Sequence, residues 1–334
     1  MMPATCGSFL LMDHETILVI GRLRAKLLDR LTESAVDAQL IVGEEPEAFA
    51  AVATHATVVL SWGASRDQLR KIVHMCPNLR WIHIMSAGLD SVLSSELEES
   101  PAVLTNGRGV FSQSLGEWVI GAILYFAKDF RRLVRSQSEG RWDPFDVVEI
   151  SGHTVGIVGY GDIGRAVAAR AGAMGMRVLG LNRRGPLPGH PDPLVEEIFA
   201  PSDRIRMVEQ CDYLVVTAPL TPDTRGLIGE AELAAMKPDA VVINVGRGPV
   251  IQEDALLRAL SENRIKGAAL DVFDTEPLSE GHAFYSLENV LLSPHCADHT
   301  SVWLDHAMEF FLENLQRYRN GEPLANLIEK GRGY

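Results

Sequence analysis

A glycine-rich turn at residues 159–164 has the residue types and spacing that hold a phosphate group. Thr154–Val158 is a short apolar run typical of a buried strand, and a G-x-G-x-x-G turn and helically spaced apolar residues follow at once. Gly159 allows a sharp turn, Gly161 lets a pyrophosphate approach the backbone, and Gly164 lets the helix pack closely on the strand. The amides at the helix start then face the phosphate charge. The pattern predicts a dinucleotide site at Gly159, Gly161, Asp162, Ile163 and Gly164; the alternative is a tight turn without a ligand.

The end of the next predicted strand indicates which dinucleotide would bind. The strand Arg177–Leu181 is followed by Asn182, Arg183 and Arg184, where an acidic residue usually holds the adenosine ribose. A carboxylate there would repel a 2′-phosphate, whereas two guanidinium groups can bind it through charge-assisted hydrogen bonds. We therefore expect NADP(H) in preference to NAD(H). The alternative is two solvated arginines at the start of a loop.

Three further polar segments follow predicted strands, where ligands of open α/β sheets bind. They are Asn244-Val-Gly-Arg-Gly248, Asp271-Val-Phe-Asp-Thr-Glu-Pro277 and Ser293-Pro-His295. Taken singly, their residues have plainer explanations: an exposed turn for Arg247, a strand end for Glu276 and a surface position for His295.

Composition and charge narrow the class of protein. The 334 residues are 46% hydrophobic and 22% charged, which is ordinary globular composition and long enough for two domains. The net charge of −13 argues against binding to nucleic acid or to an anionic membrane surface. Met1–His14 lacks the features of a secretory leader, and Trp118–Ala127 is too short an apolar run to cross a bilayer. Reduced thiols in a cytoplasmic protein are expected, because no C-x-x-C pair occurs among Cys6, Cys76, Cys211 and Cys296.

Strands and helices alternate before the glycine-rich turn, which predicts a parallel sheet with helices on its faces. The strands are expected at Ile17–Ile20, Gln39–Val42, Thr57–Ser61, Trp81–Met85 and Val103–Thr105. The helices are expected at Leu23–Leu31, Pro46–Thr54 and Ser65–Cys76. A long amphipathic helix, Ser112–Arg132, is predicted next, with a buried face of Leu115, Val119, Ile123, Phe126 and Phe130.

The same alternation continues after the turn. Further strands are expected at Tyr213–Thr217, Ala240–Asn244, Ala268–Asp271 and Val290–Leu292, with helices near Glu230–Met236 and Glu253–Asn263. Arg183–Asp203 should be mostly loop, because it contains Pro186, Pro188, Pro191, Pro193 and Pro201. A final helix, Ser301–Arg319, is predicted to bury Trp303, Met308, Phe311, Leu312 and Leu315.

With these motifs in order, the chain resembles the D-isomer-specific 2-hydroxyacid dehydrogenases over nearly its whole length. The matching segments are residues 159–164, 217–224, 244–248, 271–277 and 293–295. The resemblance implies an α/β fold of two domains, with a Rossmann-type doubly wound parallel cofactor domain at residues 113–298. This domain would be inserted into a flavodoxin-like substrate domain made of residues 1–112 and 299–334. The resemblance adds further cofactor-binding residues, which are Ala218, Pro219, Thr224, Val245, Gly246 and Asp271.

The resemblance also places Arg247, Glu276 and His295 in the family's catalytic positions, and the chemistry suits these residue types. A guanidinium can pair with both the carboxylate and the carbonyl of a 2-keto acid. Hydride transfer to the carbonyl carbon leaves an alkoxide that needs a proton, and an imidazole can supply it near neutral pH. Glu276 beside His295 would raise the pKa of the imidazole.

A loop of the first domain is expected to hold the substrate carboxylate. Ser86, Ala87 and Gly88 follow the strand Trp81–Met85 and match the family's glycine-containing carboxylate loop. Backbone amides of Ala87 and Gly88 could form an anion-binding cradle there; the alternative is an ordinary turn. Arg108 and Ser114 fall near the expected domain boundary, where the family approaches the nicotinamide.

The segment after His295 departs from many relatives. It reads Cys296-Ala-Asp298-His299, which leaves the size of the accepted substrate open. His295 and His299 have the spacing of a metal pair on a helix, but Pro294 favours a loop and no third ligand is evident, so no metal is expected. Relatives specific for formate pair a glutamine with the histidine, whereas Glu276 stands at that place here.

The sequence thus predicts an NADPH-dependent reductase of a small 2-keto acid, with glyoxylate or hydroxypyruvate as leading candidates. The resemblance also implies a homodimer, formed through the cofactor domain and the Ser112–Arg132 helix. Two alternatives stay open. One is an NAD-dependent dehydrogenase for a bulkier keto acid, and the other is a non-catalytic, nucleotide-sensing protein of the corepressor type.

Overall fold

A computed structural model describes residues 15–185 and 191–332 of the chain. Cys6, Pro186, Pro188 and the predicted absence of a leader at Met1–His14 lie outside the described residues. The chain forms two compact units: one runs up to Gly107 and resumes at Leu304, and the other is Arg108–Trp303. The domain boundaries predicted from the sequence, 112/113 and 298/299, fall a few residues inside the second unit and stay predictions.

The first unit contains a five-stranded parallel sheet. Its strands are β1 (Thr16–Ile20), β2 (Gln39–Gly43), β3 (Ala56–Ser61), β4 (Trp81–Ile84) and β5 (Val103–Asn106). Their spatial order, β2-β1-β3-β4-β5, is that of flavodoxin-like sheets. Its helices are α1 (Ala25–Ser34), α2 (Arg66–Met75), α3 (Ser95–Glu99) and nearly all of α10 (Trp303–Arg319). The helix predicted at Pro46–Thr54 is wrong: two short 3-10 helices, Pro46–Phe49 and Ala53–His55, lie there.

The second unit contains a seven-stranded parallel sheet in the order β12-β11-β10-β9-β6-β7-β8, which is doubly wound about β6 and β9. Its strands are β6 (Thr154–Val158), β7 (Arg177–Leu181), β8 (Glu197–Phe199), β9 (Tyr213–Val216), β10 (Val241–Asn244), β11 (Gly267–Leu270) and β12 (Val290–Leu292). The strand order reverses between β6 and β9, so a crevice opens at their carboxyl ends. The Rossmann-type architecture expected from the sequence is confirmed.

The helices of the second unit differ from the prediction in two places, because the helix predicted at Ser112–Arg132 is broken and a short helix at Arg204–Val208 was not predicted. They are α4 (Ser112–Ala127), α5 (Phe130–Ser138), α6 (Asp162–Ala173), α7 (Arg204–Val208), α8 (Glu230–Ala235) and α9 (Glu253–Ser261). The single helix predicted at Ser112–Arg132 is broken, because Asp129 adopts a left-handed conformation (φ 46°) and its carboxylate accepts from the amide of Arg132 to start α5. Leu115, Val119, Ile123 and Phe126 are buried as expected, but Phe130 lies beyond the break and is exposed.

The apolar residues that recur along the C-terminal helix α10 form its buried face. Met308, Phe311 and Leu315 are buried as predicted, whereas Trp303 and Leu312 are only half-buried. In the first unit, the Phe311 ring stacks on Trp81 of β4 with centroids 5.2 Å apart. No helix within residues 15–185 and 191–332 is long and apolar enough to cross a membrane.

Candidate active site

The glycine-rich turn joins β6 to α6 at the point where the strand order reverses. Gly159 has φ 93°, and a Cβ on it would come 2.4 Å from Cα of Ala218, so only glycine fits. A Cβ on Gly164 would stand 3.0 Å from Cγ2 of Ile157, which explains the close packing of helix on strand. A Cβ on Gly161 would meet only the Gly159 carbonyl oxygen, at 4.0 Å, so this side of the turn is open. Asp162 is the first residue of α6, and Ile163 follows it.

The ends of β6 and β7 meet at this turn. The amides of Gly159 and Tyr160 both donate to the Leu181 carbonyl at 2.9 Å. Asn182 follows directly, and its Oδ1 is buried with no hydrogen-bond partner among the described residues. The side chains of Arg183 and Arg184 are exposed beside it. An open glycine turn, a helix start and an unsatisfied buried oxygen at the end of the next strand fit a dinucleotide.

The segment after β9 closes on the same turn. Thr217 Oγ1 donates to the Gly159 carbonyl at 2.8 Å, and Ala218 is buried against Gly159. Pro219 and Thr224 belong to a small loop in which Thr224 Oγ1 donates to the Pro219 carbonyl at 2.6 Å. Sequence reasoning placed Ala218, Pro219 and Thr224 here but missed Thr217, whose hydroxyl ties the two strand ends together.

The loop after β10 carries Arg247. Asn244 holds this loop from both sides, since its Oδ1 accepts from the Gly246 amide and its Nδ2 donates to the Arg247 carbonyl, both at 3.0 Å. Val245 is buried, and a Cβ on Gly246 would come 2.7 Å from the Ala218 carbonyl oxygen. The Arg247 side chain is half-buried, so it is not a freely solvated turn residue. Asn244 is a second residue that the sequence reasoning left without a role.

Glu276 and His295 form the closest side-chain pair of the site. Nδ1 of His295 donates to Oε2 of Glu276 at 2.6 Å, and Oε1 of Glu276 accepts from the Phe273 amide at 2.9 Å. The bond to Glu276 raises the pKa of His295, although burial and the nearby Arg247 charge oppose this. Burial works to raise the pKa of Glu276, but the bonds from His295 and Phe273 outweigh it and lower the pKa. The imidazolium–carboxylate state is therefore favoured.

Asp271 holds the loop on which His295 stands. Its buried Oδ1 accepts from Ser293 Oγ at 2.6 Å, from the Cys296 amide at 2.9 Å and from the Ala297 amide at 3.1 Å. The His295 amide donates to the Asp271 carbonyl at 2.9 Å, and His295 itself has φ 51°, a conformation that non-glycine residues rarely adopt. The sequence reasoning assigned Asp271 to the cofactor, which stays a prediction; in the structure its carboxylate positions the histidine loop.

The predicted carboxylate loop lies in the first unit, at the carboxyl end of β4. Ser86 Oγ donates to the Gly88 carbonyl at 3.1 Å, and Asn106 Nδ2 donates to the Ala87 carbonyl at 2.6 Å. Within the described parts of the chain, the amides of Ala87 and Gly88 donate to no other group. The loop therefore presents two amide donors on a fixed turn.

Arg108, Ser114 and the cysteines complete the inventory. Arg108 Nε lies 3.4 Å from Oδ2 of Asp162, and Ser114 Oγ donates to the Ala297 carbonyl at 2.9 Å. Burial raises the pKa of Cys76 to about 11 and that of Cys211 to about 12, so both stay thiols. In residues 15–185 and 191–332, no group of three or more His, Cys, Asp and Glu side chains is placed to hold a metal ion.

Comparison with known proteins decides the family. A family model described as "D-isomer specific 2-hydroxyacid dehydrogenase, NAD binding domain" matches residues 120–297. The glyoxylate reductase of Thermococcus gammatolerans is 35% identical over 266 residues, covering 76% of this chain and 77% of that protein. The chain belongs to the D-isomer-specific 2-hydroxyacid dehydrogenases.

Two further relatives of this dehydrogenase bear on its substrate and cofactor. The D-3-phosphoglycerate dehydrogenase of Methanocaldococcus jannaschii is 30% identical over 268 residues, covering 78% of this chain and 49% of that protein. The crystal structure of an NADPH-dependent glyoxylate/hydroxypyruvate reductase from Sinorhizobium meliloti, in complex with NADP and sulfate, superposes with a TM-score of 0.82. It is 25% identical and covers 96% of this chain and 100% of that chain.

The dehydrogenase is thus an NAD(P)-dependent oxidoreductase that acts on a CH–OH group, and its second unit is the NAD(P)-binding domain. In that unit the structure brings the glycine turn, the β9 and β10 loops and the His295 loop to one edge of the sheet. A guanidinium, an imidazole and a carboxylate at this edge can bind an anion and exchange one proton with it.

Proposed function

We propose that the enzyme reduces a small 2-keto acid of the glyoxylate or hydroxypyruvate type to the D-2-hydroxy acid with NADPH. The observation that carries this proposal is the His295–Glu276 pair, joined at 2.6 Å, with the Arg247 charge acting on both residues. The names of the similar glyoxylate and glyoxylate/hydroxypyruvate reductases support the substrate class.

The chain's own residues then divide the work. When bound, the reduced nicotinamide supplies the hydride. Arg247 pairs with the carboxylate and polarises the carbonyl, which stabilises the negative charge that develops on oxygen. His295 keeps Nδ1 on Glu276 and donates the proton from Nε2 to that oxygen. In the reverse direction the same nitrogen is the base.

The amides of Ala87 and Gly88 are proposed as further donors to the substrate carboxylate, with Ser86 shaping the loop. The support is their lack of other acceptors within residues 15–185 and 191–332. Two amides on a rigid turn bind a carboxylate without ordering a side chain, so the loop adds affinity at little entropic cost.

The preference for NADPH is proposed from Asn182, Arg183 and Arg184 at the end of β7. Exposed guanidinium groups beside an unsatisfied amide oxygen suit a ribose that carries a phosphate. Arg183→Ala with Arg184→Ala should lower kcat/KM for NADPH by about 100-fold, at roughly 1.5 kcal/mol for each lost charge-assisted bond, and change NADH far less. An unchanged NADPH-to-NADH ratio contradicts the assignment.

The test of the whole proposal is a panel of initial rates with glyoxylate, hydroxypyruvate, pyruvate and phenylpyruvate, each with NADPH and NADH. Turnover of the first two with NADPH is expected, and His295→Ala should lower kcat by roughly 10²–10⁴ while NADPH still binds. Activity confined to phenylpyruvate or NADH would move the enzyme to the bulkier, NAD-dependent class. Tight NADPH binding without any turnover would point to a nucleotide sensor.

We also propose a homodimer. Five apolar side chains of α5 and the segment after it are each exposed and are called the α5 patch: Phe130, Leu133, Val134, Trp142 and Val147. The segment is fixed, because Arg132 pairs with both oxygens of Asp143 at 2.7 and 2.9 Å and the Val148 amide donates to Ala127 at 2.9 Å. A fixed apolar surface of this kind is typical of an interface, and a second copy of the chain is the proposed occupant.

A further inference from the structure

The turn that carries His295 also carries a second imidazole. The His299 amide donates to the Cys296 carbonyl at 3.0 Å, and the Thr300 amide donates to the Asp298 carbonyl at 2.8 Å. This tight turn returns the chain towards Trp303, the last residue of the second unit. The His299 ring stacks on the Trp303 ring, with centroids 4.1 Å apart and planes 25° from parallel. The stack engages the face of the imidazole and leaves its ring nitrogens at the edge, where they can form hydrogen bonds.

His299 lies four residues after His295 on the same loop. Oδ1 of Asp298 lies 3.7 Å from Nε2 of His299. Burial raises the pKa of Asp298, while the charges of His299 and His295 both act to lower it. The Phe111 ring also lies near Trp303, with the two ring centroids 6.1 Å apart.

The proposed chemistry leaves one part of the substrate unrecognised. Arg247 takes the carboxylate and carbonyl, and His295 takes the carbonyl oxygen. The remaining group is the substituent on the keto carbon, which is a hydrogen in glyoxylate, a methyl in pyruvate and a hydroxymethyl in hydroxypyruvate. Because Asp271, Glu276 and Asp298 surround this turn, a second anionic group on the substrate would be repelled.

We propose that His299, fixed on Trp303, is a specificity-determining residue that hydrogen-bonds a hydroxyl on carbon 3 of the substrate. The inference rests on the proposed function and deepens it, because it selects the 3-hydroxy-2-keto acids as the preferred class. A site built to hydrogen-bond a hydroxyl rejects an analogue that lacks it more strongly than an apolar wall rejects an extra group.

The test compares His299→Phe, which keeps the stack on Trp303 without a donor, with His299→Gln, which keeps a donor without the imidazole. The ratio of kcat/KM for hydroxypyruvate to that for pyruvate should fall about tenfold in the phenylalanine variant, mainly through KM, as expected for one lost hydrogen bond. The glutamine variant should recover part of the ratio. His55→Phe removes an exposed imidazole at the amino end of β3 and should leave the ratio unchanged.

A second readout needs no turnover. In the presence of NADPH, calorimetry of D-glycerate and D-lactate binding should show the same tenfold loss of preference for D-glycerate in His299→Phe. Wild-type turnover of hydroxypyruvate with unchanged ratios in His299→Phe would overturn the role of His299 and leave the proposed function standing. A preference for oxaloacetate that disappears in His299→Phe would overturn the hydroxyl assignment. No turnover of any keto acid by the wild type would overturn both proposals.

Discussion

At the scale of single residues, the site is organised around the proton on His295. Glu276 fixes the ring by accepting from Nδ1, and the Phe273 amide fixes Glu276 in turn. The Glu276 carboxylate therefore occupies Nδ1, leaves Nε2 as the other ring nitrogen for the substrate, and also raises the pKa of the imidazole. Orientation and charge come from one contact, so a single substitution tests both.

Glu276→Gln should shift the pH dependence of the reduction. Reduction needs a protonated His295, so kcat/KM falls as the pH rises through the raised pKa of that imidazole. Without the carboxylate the pKa drops, and the falling limb moves to lower pH. At pH 8 the variant should be about tenfold slower than the wild type, with a smaller difference near pH 6.

The measurement is a pH–rate profile for both proteins with the same keto acid. Asp143→Asn, which removes a carboxylate of the second unit that pairs with Arg132, is the matched control and should keep the wild-type profile. A profile of Glu276→Gln that is lowered but not shifted would mean that Glu276 only orients the ring.

The pairing of Glu276 with His295 could be predicted from the sequence only in part. Spacing alone could not join Glu276 and His295, which are 19 positions apart; the family resemblance supplied the pairing. Thr217 and the positioning role of Asp271 were missed because their partners lie in loops that follow other strands, and Asn244 was missed because its side chain binds the backbone of its own loop. The sequence shows that polar residues stand at the ends of buried strands. Which of these ends lie side by side depends on the strand order of the sheet, which is a tertiary property.

At the scale of elements, the start of α6 combines two opposing charges. Asp162 places a carboxylate at the helix start where the cofactor phosphates are proposed to bind, and Arg108 Nε stands 3.4 Å from it. The helix dipole favours an anion there, but two anions compete for it. The Arg108 charge therefore offsets the repulsion between the Asp162 carboxylate and the cofactor phosphates.

Arg108→Ala should weaken NADPH binding about fivefold, because it leaves the Asp162 carboxylate facing the phosphates; this corresponds to roughly 1 kcal/mol for an exposed charge. Adding Asp162→Asn should restore most of the affinity. Fluorescence titration of NADPH measures both. Equal affinities for the wild type and Arg108→Ala would remove the ion pair from cofactor binding.

Elements were predictable where the apolar pattern was long. Every strand predicted from the sequence is present, with ends within one residue of the prediction. The break at Asp129 was missed because the apolar period runs through it, although an Asp three residues before Arg132 is a helix-start signal. The strand β8 was missed because Glu197–Phe199 is only three residues long, too short to show an alternating apolar pattern. The strand forms because it pairs with β7.

At the scale of the whole molecule, the α5 patch sets the expected assembly. The Trp142 side chain is 95% exposed, which is unusual for the largest apolar residue. Val134→Glu with Trp142→Glu should convert a dimer into a monomer in sedimentation, because two buried charges oppose association. Tyr285→Glu, at another exposed apolar residue of the second unit, should leave the mass unchanged. A monomeric wild type contradicts the proposed dimer.

A buried histidine should govern acid stability. His83 lies fully buried in β4, its Nδ1 is 2.8 Å from Thr105 Oγ1, and burial lowers its pKa to about 3. The unfolded chain binds that proton below a pKa of about 6.5, whereas the folded chain does not until about pH 3. Stability is thus lost as the pH falls from 6.5 towards 3, by up to roughly 2.7 kcal/mol at pH 4.5.

Urea unfolding of the wild type and His83→Asn at pH 7.5 and pH 4.5 measures this term. The stability advantage of the wild type at pH 7.5 should shrink or reverse at pH 4.5, because asparagine cannot bind the proton. The same difference at both pH values would show that His83 does not titrate on unfolding.

The Asp271 clamp also bears on how new specificities could arise. It grips the histidine loop through the amides of Cys296 and Ala297 rather than through their side chains. Main-chain donors are common to every residue but proline, so the side chains at 296 and 299 can be exchanged without losing the grip that aims His295. A combinatorial library confined to those two positions should therefore yield many folded, active enzymes with altered substrate specificity. Randomising position 271 should yield few active enzymes.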